Sequence, residues 1–182
     1  AERSAGRYVV DVIQFSEPAT ALDFQKRGGY LRHVSPQSEF YAAEHLSNPV
    51  GDCFCPGVTF AGICYNTDKV KAEEAPKTWK DLLNPQWANA MSVKQSTSGL
   101  QFVQWYELRK LYGEGFWKDF AKLRPRGFDS RAQLLDRLAK GDEKVCGLAE
   151  LAGYLLQKDK GAHIAFVTPA DGLPAGTLWN GV

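Results

Sequence analysis

The sequence predicts an α/β protein. Apolar runs rich in β-branched residues alternate with segments of helical period, most of the helices are bounded by their own start or stop residues, and no internal repeat or low-complexity tract interrupts the alternation. The composition supports a packed core: 44% of the 182 residues are hydrophobic and 24% are charged, the balance of an ordinary soluble globular chain.

The elements follow in order. Tyr8 to Gln14 is β-branched enough for a buried strand, and Pro18 to Arg27 predicts a short helix closed by Gly28-Gly29. Ser35 to Gly57 has the Ser, Pro, Asn and Gly of an irregular connection, the expected place for a crossing between lobes. Thr59 to Tyr65 reads as a strand with Asn66-Thr67-Asp68 as its turn. Thr78-Trp79-Lys80-Asp81 predicts a capping box, because the Thr78 hydroxyl can accept from the third amide while the Asp81 carboxylate sits at the positive helix end; Pro85 stops that helix after Leu83. Met91 to Gln95 is a strand candidate. Leu100 to Tyr112 is helical, with Phe102, Trp105, Leu108 and Tyr112 on one face and Gly113 as terminator. Phe116, Phe120 and Leu123 stripe the next helix. Ser130 caps another, whose Leu134, Leu135 and Leu138 face a core and whose left-handed closing residue is Gly141. Val145 to Leu148 is again a strand, followed by a helix to about Lys158 and the strand His163 to Val167.

Several function classes lose support at this level. A formal net charge of +1 and the absence of a basic stripe argue against nucleic acid as a partner. No apolar run approaches the ~18 to 20 residues that span a bilayer, so no membrane insertion is expected, and Ala1 to Gly6 carries no signal-peptide core. Cys53 and Cys55 stand too close for an easy mutual disulfide. Cys64 and Cys146 stand apart, and His33, His45 and His163 are scattered, so no metal-ligand spacing emerges. No resident cofactor is expected. Enzyme signatures are poor as well: there is no G-x-S-x-G, Walker loop, H-E-x-x-H or strand-borne G-x-G-x-x-G. Ser98 before Gly99 is the one nucleophile candidate, and a serine needs a base that the sequence does not place beside it.

The candidate binding residues lie where strands lead into helices, because ligands of open α/β sheets collect at the carboxyl ends of strands, where unpaired helix amides favour an anion. Ser96, Thr97, Ser98, Gly99 and Leu100 form the first such junction, with three hydroxyls and a glycine that admits a ligand to the backbone. Ser130 and Arg131 form the second, and the guanidinium can hold a carboxylate or phosphate by two parallel bonds. Glu150 and Tyr154 mark the third. Ser16 and Glu17, after the first strand, put a hydroxyl and a carboxylate at a further strand end. Each also has a structural reading, as helix caps for the serines, as a solvated surface residue for Arg131 and as packing for Tyr154.

Taken together, Gly62-Ile63-Cys64-Tyr65-Asn66-Thr67-Asp68-Lys69-Val70, the block Pro76-Lys77-Thr78-Trp79-Lys80-Asp81-Leu82-Leu83-Asn84-Pro85, and Pro169-Ala170-Asp171-Gly172 resemble the extracellular solute-binding proteins of bacterial ABC importers. The sequence is most similar to the ferric-iron-binding branch with the type 2 periplasmic fold. The resemblance implies two α/β lobes that close on a solute, a small-molecule anion or metal-anion complex, in an interlobe cleft and deliver it to a membrane permease, in a periplasmic or extracellular setting and without catalysis. It divides the chain into a partial lobe one over 1–58, a nearly complete lobe two over 59–169, and a return segment over 170–182. Against the family pattern, the opening strand and helix of lobe one and its closing section are not found, which implies weak solute binding by this stretch alone. The resemblance places an anion contact at Ser98, Gly99 and Leu100. The family's paired iron-ligating tyrosines fall at Ala152-Gly153, beside Tyr154, and its carboxylate falls at Ser16, beside Glu17. These departures favour an organic carboxylate, a phosphonate or phosphate-like anion, or a chelated metal over a bare ferric ion. Two alternatives stay open at this stage: the same fold as the ligand sensor of a signalling or regulatory protein, and a serine-dependent hydrolase.

Overall fold

The computed structural model describes residues 5–6, 9–95 and 99–182. The chain forms two compact units, one of Ala1–Val58 with Gly176–Val182 and one of Thr59–Ala175. Two strands carry the chain across the division: β2 (Cys53–Asn66) on the way out and β7 (Ala175–Gly181) on the way back.

In the first unit β1 (Ile13–Phe15) pairs antiparallel with β7, Ile13 opposite Gly181. The helix α1 (Pro18–Lys26) starts on a proline, whose fixed φ and missing N–H suit the first helical turn. Its Phe24 packs between Phe15 and Tyr30, with ring centroids 5.4 and 4.9 Å away. The strand expected over Tyr8 to Gln14 is displaced. Tyr8 lies outside the described residues; Val9, Val10 and Val12 are exposed, and the ladder with β7 begins only at Ile13, so β-branched composition alone did not secure a partner for Val9 to Val12. The return strand β7 was missed in the sequence because Pro174, Gly176 and Gly181 break its apolar alternation.

The second unit holds a mixed sheet in the order β6 (Ile164–Val167), β2, β5 (Val145–Glu150), β3 (Met91–Lys94), β4 (Arg126–Phe128). β3 is parallel to both β4 and β5, whereas β2 runs antiparallel to β5 and β6. Each face is covered. On one, Ile63, Met91, Val93 and Val145 pack with Leu108 of α2 (Gly99–Tyr112) and Phe116 and Phe120 of α3 (Glu114–Lys122). On the other, Cys64, Cys146, Ala149 and Ile164 pack with Leu134, Leu135 and Leu138 of α4 (Arg131–Lys140), with Tyr154 of α5 (Leu151–Asp159) at the margin. The alternation of inward side chains along β2 and β5 therefore feeds two separate apolar layers.

Local signals explain several boundaries. Thr78 and Asp81 form the expected capping box, but the turn it opens, Trp79–Leu83, is 3-10 rather than α, and Asn84 caps a second short turn at Pro85–Trp87. Ser130 Oγ accepts from the Gln133 amide at the start of α4, and Gly141 closes it at φ 78°. β5 carries one extra residue: Gly62 faces Ala149 but Ile63 faces Gly147, which leaves Leu148 as a bulge in the left-handed region at φ 59°. At the other end of the sheet the buried Glu143 accepts from Arg137 (Nη2, 2.8 Å) and Arg126 (Nη1, 3.4 Å), so the charge is neutralised by pairing.

Two of the signature blocks meet in space. The Trp79 amide donates to both Asp171 carboxylate oxygens at 3.2 and 3.1 Å, the Trp79 indole N–H donates to the Gly172 carbonyl at 2.8 Å, and the Ala170 amide donates to the Lys77 carbonyl at 2.9 Å. With Trp79 fully buried, this clasp pins the segment after β6 to the segment before β3. Asp171→Ala is expected to cost about 1–3 kcal/mol, the worth of an unsatisfied buried amide, read from urea unfolding midpoints.

The capping box gives a pH signature. Partial burial acts to raise the Asp81 carboxyl, but the amides of Lys77 and Thr78 donate to it and outweigh burial, holding it below the ordinary value. A lowered folded pKa stabilises the protein above the unfolded value of about 4 and loses that contribution as pH falls through the folded value. Because the group is still largely exposed, Asp81→Asn is expected to cost only about 0.5–1 kcal/mol at pH 7. The gap from the parent should close as stability is measured down to acid pH.

Candidate functional site

Parallel pairing fixes where the site is built. Because β3, β4 and β5 point the same way, the junctions that follow them, into α2, α4 and α5, all leave one edge of the sheet. Thr59, near the division between the units, reaches that edge from the opposite direction, since Ala61 of antiparallel β2 stands across from Glu150.

Of the predicted residues, the structure brings Arg131 and Glu150 together. Arg131 Nη1 donates to Glu150 Oε2 at 2.8 Å, and the Thr59 hydroxyl donates to Glu150 Oε1 at 2.7 Å. Both ends of the ion pair are mostly withdrawn from solvent, with 27% of the Arg131 side chain and 19% of the Glu150 side chain exposed. Arg131 Nε is buried and has no hydrogen-bond partner among the described residues. Glu150 thus orients the guanidinium through Oε2 while Thr59 holds its Oε1, and Arg131 keeps Nε as an unused donor. Such an arrangement can present a fixed fork to an oxyanion, and it leaves the carboxylate no free oxygen lone-pair face as open as that of an unpaired acid.

The other predicted residues divide. Ser130 caps α4 through its side chain, next to Arg131. Gly99 and Leu100 open α2, while Ser96, Thr97 and Ser98 lie outside the described residues. Tyr154 packs its ring against Phe166 at 5.5 Å, the packing reading of the sequence. At the neighbouring Gly153 a Cβ would stand 2.8 Å from Leu135 Cδ1, so close packing of α5 on α4 leaves little room there for a tyrosine. Ser16 and Glu17 belong to the first unit, where Glu17 precedes α1 and its Oε1 accepts from the Thr20 hydroxyl at 2.6 Å.

Sequence reasoning missed Thr59 and Lys94. Nothing local marks Thr59, because its partner lies in a strand far along the chain. Lys94, at the end of β3, is buried, and its ammonium donates to the Gln95 carbonyl at 3.4 Å; a lysine closing a short strand at the candidate edge was the available signal. Gln95 lies over Gly127, where an added Cβ would come within 2.8 Å of its side-chain amide and would have to displace it. Among the described residues no group of three or more His, Cys, Asp or Glu is placed to hold a metal ion, and no helix is long and apolar enough to cross a membrane.

The chain belongs to the bacterial extracellular solute-binding protein family, whose model matches residues 9–180. No curated protein matches it in sequence. In fold it is similar to the substrate binding protein of an ABC transporter from Agrobacterium tumefaciens (TM-score 0.89, 14% identity, 100% of this chain and 56% of that one). It is also similar to AfuA from Actinobacillus pleuropneumoniae, solved with exogenous fructose-6-phosphate bound (TM-score 0.81, 18% identity, 99% and 60%). A third relative is iron-bound HitA from Pseudomonas aeruginosa (TM-score 0.78, 20% identity, 99% and 60%). The chain thus spans less than two thirds of the length of each. The sequence-level expectations of the family and of the type 2 periplasmic-binding fold hold.

Removing the orienting carboxylate should expose its structural share. Glu150→Ala is expected to destabilise the protein by about 1–3 kcal/mol, since a half-buried arginine loses its partner, and Thr59→Val by about 0.5–1.5 kcal/mol. Denaturant titrations of both variants check the order.

Proposed function

We propose that this chain is part of the solute-binding component of an ABC import system, capturing a small anionic solute, or a metal already complexed by an anion, at the edge of its second unit. Arg131 carries the reading: a guanidinium oriented by Glu150, with a buried and unpaired Nε, beside a helix start. Its free donors match the paired oxygens of a carboxylate or phosphate group, and the starts of α2 and α4 add backbone N–H groups and positive dipole ends. Ser96 to Leu100 and Ser130 are the proposed anion contacts at those starts, and Ser16, Glu17 and Tyr154 are secondary candidates. With both Glu150 oxygens engaged, a bare cation gains less from this edge than an oxyanion does. The proposed setting is periplasmic or extracellular, with a membrane permease as the receiving partner and no covalent chemistry on the solute.

The reading is tested by titrating the isotopically labelled chain with phosphate, a phosphonate, a sugar phosphate, citrate and ferric citrate, following amide resonances by NMR, which detects millimolar binding. One anion class is expected to move the amides around Gly99, Ser130, Arg131 and Leu151 in a common saturating curve. Arg131→Ala is expected to weaken it about 10- to 100-fold, the worth of a charge-assisted hydrogen bond of ~1.5–3 kcal/mol. Saturation elsewhere, or at this edge but unaffected by Arg131→Ala, overturns the assignment.

A further inference from the structure

Cys64 on β2 and Cys146 on β5 are Cα partners in the antiparallel ladder. Both side chains enter the same apolar layer, under α4 and α5, and both are wholly buried. Residues opposed in an antiparallel pair have Cα atoms about 4.5–5.5 Å apart, inside the ~4.4–6.8 Å that a disulfide requires. Neither Cys53 nor Cys55 has such a counterpart, since they stand two residues apart on the same strand. In this structure all four cysteines are free thiols.

We propose that Cys64 and Cys146 are a modification site, closing as a cross-strand disulfide when the chain folds in an oxidising compartment. The oxidant is a protein or small-molecule disulfide. One protein thiolate attacks a sulfur of that disulfide, forms a mixed disulfide and releases the first thiol. The second protein thiolate then displaces the other sulfur. The balance is two protein thiols to one protein disulfide, and one external disulfide to two thiols. Burial pushes both thiols well above their ordinary values, so the reactive thiolates are scarce once the core has closed, and exchange belongs to the folding stage. The bond would tie together the two strands that carry Thr59 and Glu150.

The chain, secreted into an oxidising compartment, is denatured in the presence of an alkylating reagent and its unreduced digest is mapped by mass spectrometry. The expected result is a Cys64–Cys146 cross-linked peptide with only Cys53 and Cys55 alkylated, and a melting temperature that falls by roughly 5–10 °C on full reduction. The double variant Cys53→Ser/Cys55→Ser should keep the cross-link. A second arm refolds the reduced chain with oxidised glutathione, which separates the pairing from the setting in which the protein matures. Four alkylated cysteines in both arms, or any other pairing, overturn the proposal. The cross-link in the second arm alone retains the geometric pairing and overturns its formation during secretion.

Discussion

Parallel pairing of β3 with β4 and β5 is the constraint on which the second unit depends. Parallel neighbours cannot be joined by a tight turn, so each needs a crossover, and the crossovers supply α2 through α4 as cover for both faces of the sheet. The same pairing leaves every following junction at one edge. Antiparallel β2 then delivers Thr59 to that edge from the other direction. Candidate site and scaffold follow from a single choice of strand direction: had β4 run antiparallel, α4 and its Arg131 would start at the far end of the sheet.

The most recognisable sequence blocks are structural. Thr78-Trp79-Lys80-Asp81 and Pro169-Ala170-Asp171-Gly172 meet in the clasp around the buried Trp79 indole, where a capping box and a carboxylate satisfy amides that would otherwise be orphaned. The residues that meet at the sheet edge are commonplace by comparison: an arginine at the first position of a helix, a glutamate ending a strand, a threonine. Family membership is therefore legible from packing. The fold itself does not fix a ligand: HitA was solved iron-bound and AfuA with exogenous fructose-6-phosphate bound.

What the sequence shows and hides divides by range. Ser130, Thr78 and Gly141 were legible because a cap answers to neighbours within four residues. From Met91 to Val167 the helices and the strands β3, β5 and β6 were legible from period and punctuation, whereas the three-residue β4 was not. Thr59 and the pairing of Cys64 with Cys146 were not, because each depends on a strand encountered much later in the chain. Arg131 was legible as a candidate, while its orientation by Glu150 was not, since that contact needs the register of β4 and β5 on β3. β1 failed for the related reason that a β-branched run does not name its partner.

The bulge at Leu148 bears on how this chain is compared with others. Gly147 and Leu148 both look toward the layer containing Leu82 and Phe120, after which Ala149 turns to the opposite layer and Glu150 returns to the side of Ala61. Counting along β5 is therefore out of phase with facing across it. A homologue with an unbulged strand reaches the equivalent of Glu150 one residue sooner. Aligning the two without a gap matches side chains from opposite faces, and carries the error on to the opening residues of α5. Correspondence across this strand has to be drawn from the register of β2, where Ala61 marks the position, and not from the count.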